Sequence, residues 1–142
     1  MPRFILAILI PLLFLAQPVL ANSLFSDKTL ASHKAFYEQL VVSHCSLSES
    51  SPSLSNNTIN KVAEALAQAE KMDKDIKLEK GLLEQMQKML PRFIDCDRVD
   101  ASPLEDVMDG ILAFLGVNRQ IPSVERRTYI QYAMKLSEIE NK

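Results

Sequence analysis

The hydrophobic pattern changes character once along this chain. Phe4 to Ala16 is an apolar run without a charge, whereas from Asp27 onward apolar residues recur three and four positions apart. That second spacing is the period of a helix with one buried face. Leu30, Phe36, Tyr37, Leu40 and Val41 make the first stripe. Ser26-Asp27 ahead of it supplies a side-chain acceptor and a negative charge, so a helix is expected over about 27–45. Tyr37, Val41 and Cys45 are each four apart, and Cys45 continues the stripe.

Ser46 to Thr58 holds six serines, a proline and two asparagines and reads as a loop, either a solvated connector or a binding segment. Asn57 or Thr58 is placed to cap a second helix. Ile59, Val62, Leu66 and Ala69 mark its inner face, with Lys61, Glu64, Gln68 and Lys71 facing out. Alanines 63, 65, 67 and 69 permit close approach of a neighbouring helix. The mixed-sign run 71–80, KMDKDIKLEK, predicts a solvated turn or exposed helix face. Asp73 and Asp75 have calcium-like spacing, but the glycine and terminal glutamate of a calcium loop are missing.

A third stripe comprises Leu78, Leu82, Met86, Met89, Leu90 and Phe93. Pro91 removes a donor to the Gln87 carbonyl and disfavours helical geometry at Leu90, so a kink or restart is expected there. Cys96 lies three residues beyond Phe93 and extends the stripe. Ser102-Pro103-Leu104-Glu105 has the order of a capping box, with proline at the first helical position. It predicts a helix at about 103–115, closed by Gly116 as a left-handed cap. Leu104, Val107, Met108, Ile111, Leu112 and Leu115 give that helix a wide apolar face, and it is expected to be the most buried element. Pro122-Ser123 starts a last helix at about 124–139. Tyr129, Tyr132, Ala133, Leu136 and Ile139 form its stripe, which Ile130 and Met134 widen. No strand period, repeat or composition break appears. The expectation is an all-α protein, a small bundle of four to five amphipathic helices in one domain over 22–142.

The first 21 residues are read as a signal peptide. Arg3 and the amino terminus give a short positive region, the apolar run follows, and Val19-Leu20-Ala21 has the shape of a cleavage site. Pro11, Gln17 and Pro18 interrupt a run that would need about 20 apolar residues to span a bilayer. No cysteine follows the run until Cys45, so no lipid anchor is expected. Cleavage after Ala21 would place the protein in the periplasm or outside the cell. Without Arg3, 15 basic residues face 18 acidic ones, which offers no electrostatic footprint for nucleic acid.

Cys45 and Cys96 are the only cysteines. In an oxidising compartment an even pair makes one disulfide. A zinc site would want four ligands, and His33 and His44 lie eleven residues apart, about 16 Å along a helix. Both histidines are read as surface or boundary residues. No nucleophile–base motif is present, and adjacent His44 and Cys45 point about 100° apart on a helix. Asp95, Asp97 and Asp100 around Cys96 read as a solvated acidic turn. No enzyme activity, cofactor or metal is expected.

Binding by contact is therefore the expected class. Tyr129, Tyr132, Ile130 and Met134 on the last helix are the candidate partner-binding residues, because tyrosine anchors interfaces and methionine suits adaptable apolar grooves. The partner would be another exported or envelope protein. A secretion-system chaperone or pilotin-like accessory factor fits, as does an immunity or inhibitor protein against a toxin or enzyme. A carrier of a lipid or apolar small molecule is the alternative of another class.

Overall fold

The computed structural model describes residues 25–45, 54–75 and 81–142. The signal-peptide reading, most of the serine-rich loop, Leu78 and the end of the mixed-sign run lie outside the described residues. Among those described there are five helices and no strand: α1 (Asp27–Cys45), α2 (Asn56–Asp75), α3 (Leu82–Phe93), α4 (Glu105–Val117) and α5 (Ser123–Glu140). α2 lies in the middle, packed against α1, α3 and α5; α4 packs on α5, and α3 and α4 touch only lightly. Side chains from all five helices share one apolar core. No helix among the described residues is long and apolar enough to cross a membrane.

The small residues decide the layout. Ala63, Ala65, Ala67 and Ala69 are buried to within 1% of complete, beside Val62 and Leu66 at 0%. An alanine face lets neighbouring backbones come close, so α2 is enclosed by three helices at once. Gln68, expected to face out, is buried with them. α4 is not the most buried element: its Val107, Ile111 and Leu115 are buried, but Leu112 and Phe114 are more than 40% exposed. The more apolar helix sits at the edge because it has one close neighbour where α2 has three.

Cys45 and Cys96 form the expected disulfide, with Cα atoms 5.8 Å apart across 51 positions of sequence. It ties the last residue of α1 to the segment just past α3, and Cys45 is buried in the core. Closing a loop that long contributes about 4 kcal/mol by the chain-entropy argument.

Three of the five described helix starts depart from the local sequence signals. α1 follows its signal, the Thr29 amide donating to Ser26 Oγ at 3.3 Å, and α5 starts at Ser123 behind Pro122 as expected; the other three do not. α2 is capped by Ser55, whose Oγ accepts from the Thr58 amide at 3.1 Å; neither Asn57 nor Thr58 is the cap. Ser55 is itself held by Asp100, which accepts from its amide and hydroxyl at 3.0 Å each and from Thr58 Oγ1 at 2.6 Å. α3 is capped from the far end of α2, where the Asp73 carboxylate accepts from the Leu82 and Leu83 amides. Gly81 sits at φ 70°, and a Cβ there would meet Asp73 Oδ2 at 3.1 Å. Only glycine takes that backbone cheaply while leaving room for the carboxylate.

The capping box does not form. Ser102 lies outside α4, which begins at Glu105, and no side chain of its own segment caps it. Instead the Leu104 amide donates to Glu140 Oε1, from the end of α5, at 3.2 Å. Lys61 lies 3.7 Å from the same carboxylate, so this face of α2 is covered rather than solvated. Gly116 is helical and the helix runs on to Val117. Pro91 sits in the last turn of α3, which continues to Phe93 without a restart. A proline so close to the end forfeits one bond and leaves the preceding turns intact. His33 is buried under α2 with Nε2 3.7 Å from Glu70, whereas His44 stays exposed in the last turn of α1. The shared face is thus covered at one end only.

Candidate functional site

An apolar groove opens where α3 and α4 touch only lightly. α3 contributes Gln85, Met89 and Arg92 to one wall, and α4 contributes Gly110, Ile111 and Phe114 to the other, with Tyr129 of α5 closing one end. The groove encloses about 200 Å³. Gln85, Met89 and Arg92 share a side of α3 because they are spaced four and three apart. The adjacent side carries Leu82, Met86 and Leu90 into the core, each at most 2% exposed, and Met89 packs against that core from the groove.

Tyr129 and Phe114 set the aromatic end. Their rings meet edge to face, centroids 5.9 Å apart at 66°, an arrangement that satisfies both ring quadrupoles. The α4–α5 turn that brings them together is fixed by Arg126. Its guanidinium donates to the Leu115 carbonyl at 3.0 Å and to the Asn118 carbonyl at 2.8 Å. A cation on the last carbonyls of α4 also opposes the negative end of that helix's dipole. Asn118 Nδ2 donates to the Phe114 carbonyl at 2.9 Å, closing the same end. Burial, then the nearby Glu125 and Asp73 carboxylates, push the Tyr129 phenol above its ordinary pKa, so it stays protonated and available as a donor.

The four residues expected to bind on α5 fall on three different surfaces. Tyr129 lines the groove. Tyr132 is 1% exposed, and its hydroxyl donates to the Ala65 carbonyl at 2.9 Å. It is a core residue fastening α5 to α2, which corrects its reading as a partner contact. Burial, followed by the Asp73 charge, raises its pKa. Ile130 and Met134, 40% and 61% exposed, lie one turn apart on the open side of α5 and do not line the groove. The sequence places Met89 on the apolar stripe of α3, but Arg92 and Phe114 did not stand out in it. Their signal was an excess: α4 carries Leu112, Phe114 and Val117 beyond what one packing face absorbs.

Elsewhere the polar groups are structural. Tyr37 is buried and its phenol is pushed up to about 12, by burial first and the Asp100 carboxylate second. Donors from Thr58 and Ser55 hold the Asp100 carboxyl below its ordinary value. Among the described residues no three metal-ligating side chains come together, and both cysteines are cross-linked. Comparison with protein-family models, with curated proteins and with solved structures finds no match.

Proposed function

We propose that this protein is an exported binding module that acts by contact, holding an apolar segment of another exported or envelope protein in the α3–α4 groove. The exported reading rests on the amino-terminal pattern and is supported by the disulfide, which persists in oxidising compartments. The observation that carries the contact reading is the groove itself. Met89, Phe114 and Tyr129 line it above the buried Ile111, and a concave apolar lining with a few polar groups at its edge is the usual form of a binding site.

Size favours a protein segment over a carried small molecule. Ligand cavities typically enclose about 300–1,000 Å³ and bury most of their guest. This groove holds about 200 Å³ and is open, which suits one or two inserted side chains. An accessory factor that grips a partner's tail needs no more than that.

A photo-crosslinking amino acid at Phe114, with a second at Lys135 as control, tests the reading in the protein's own compartment. One discrete adduct from position 114 and none from position 135 is the expected result. Equal labelling from both positions, or none from 114, overturns it.

A further inference from the structure

We propose that the turn between α4 and α5 is a docking tip for the anionic surface of a lipid bilayer. This contact is independent of what fills the groove. Every residue from Gly116 to Val124 is exposed except Ile121, which is half-buried. Val117, at 81%, is the most exposed of the large hydrophobic side chains described, and Val124 stands at 62%. They are the last residue of α4 and the second of α5, so the protrusion carries an apolar side chain at each base of the turn. A protrusion has no walls to grip a chosen side chain. An acidic protein surface would need a pocket for each valine, whereas a bilayer deforms around them and needs none.

Charge divides along α4. The segment that leads into it, 95–106, holds Asp95, Asp97, Asp100, Glu105 and Asp106 against Arg98 alone. The segment that follows, 117–127, holds Arg119, Arg126 and Arg127 against Glu125. α4 has 13 residues, about 20 Å along its axis. In a protein of net charge −2 overall, that polarity turns the α4–α5 turn toward an anionic surface. Arg126 is held on the α4 carbonyls, which leaves Arg119 and Arg127, both exposed, to meet headgroup phosphates. The amino-terminal side of the chain lies at this same end. Phe25 packs against Leu30 and Ala67, beside Lys71 and Lys74 in the last turns of α2. Asp73, between those lysines, caps α3, and its charge reaches Tyr129 near the start of α5. The start of α1, the end of α2 and the α4–α5 turn therefore share one end of the bundle. Asp27 and Asp75 are exposed there and are outnumbered by Lys28, Lys71 and Lys74. The 24 residues before Phe25, with the apolar run from Phe4 to Ala16, join the bundle at that end. An apolar leader engaged in a bilayer keeps this end facing it.

The protein contains no tryptophan, so one introduced at the tip reports its own surroundings. The test uses the disulfide-bonded protein, purified after export, with vesicles of phosphatidylcholine alone or mixed equally with phosphatidylglycerol. In Val117→Trp the emission should move to shorter wavelength and become shielded from a water-soluble quencher with the mixed vesicles only. Val42→Trp, at a position 62% exposed near the far end of α1, should not change. By flotation, Arg119→Gln combined with Arg127→Gln should weaken binding about thirty-fold, since each cation at an anionic bilayer is worth about five-fold. Val117→Asp should weaken it about ten-fold or more, from the lost transfer of one valine. Lys88→Gln combined with Lys135→Gln removes the same charge away from the tip and should weaken binding by less than about three-fold, because screening limits distant charges. All of these side chains are exposed, and the helical signal should match the parent's throughout. No binding to the mixed vesicles, equal binding to both kinds, or equal losses in the two charge pairs overturns the proposal. Undiminished binding in the arginine and valine variants does the same. So does tighter capture of soluble polyglutamate than of vesicles with the indole at position 117 still in water, which would assign the tip to an acidic protein instead.

Discussion

α2 and α4 exchange the roles their sequences suggest. α2 is rich in alanine, lysine, asparagine and aspartate, yet it is the helix most enclosed by protein. α4 reads EDVMDGILAFLGV, far more apolar, and keeps Leu112, Phe114 and Val117 in solvent. The difference teaches that burial here is set by how many helices can approach, and small side chains decide that. Apolar residues on a helix with one close neighbour are left over, and on α4 one of them, Phe114, lines the groove.

The comparison breaks most sharply if one chemical change is made in both helices. Leu66→Ala in α2 should cost about 2–5 kcal/mol, because a fully enclosed site cannot collapse onto the missing atoms. Leu112→Ala in α4 should stay within about 0.5 kcal/mol, as for other exposed positions. Urea unfolding of the two variants reads the contrast directly, and similar losses would mean that α4 is covered in solution. A smaller effect tests the cap that α2 extends to α3. Asp73→Ala removes the acceptor of two amides and should cost about 1–2 kcal/mol, with the loss of helix confined to the start of α3 by amide exchange.

The smallest effect concerns Asp100, which holds the start of α2 through Ser55 and Thr58. Its folded pKa lies below its unfolded value. The stability it adds is therefore complete above the ordinary carboxylate pKa and is lost as pH falls through the folded value. Asp100→Asn should be less stable than the parent at pH 7, and the gap should narrow as pH falls below the ordinary carboxylate range and through the lowered value. A gap that stays constant across that range would remove the carboxylate charge from the account.

Tyr132 and the capping box show where reading a sequence stops. The tyrosine lay on the stripe of α5, and the stripe was right; only the position of α2 shows that the hydroxyl meets the Ala65 carbonyl instead of a partner. The Ser-Pro-Leu-Glu order was a sound local signal, but Glu140 reached the Leu104 amide and the helix started later. In the same way the groove needed Met89 and Phe114 on adjacent helices, and neither residue signals the other along the chain.

The helical period, the cross-link between Cys45 and Cys96 and the Ser26 cap were all determined by sequence alone. Each depends on residues a few positions apart, or on a pair of cysteines with no alternative mate. Tertiary structure decided which face each helix loses to solvent, and it assigned Asp73, Asp100 and Glu140 to helix starts far from them in sequence. Periodicity tells which side chains share a face; what lies opposite that face depends on how closely whole helices can pack.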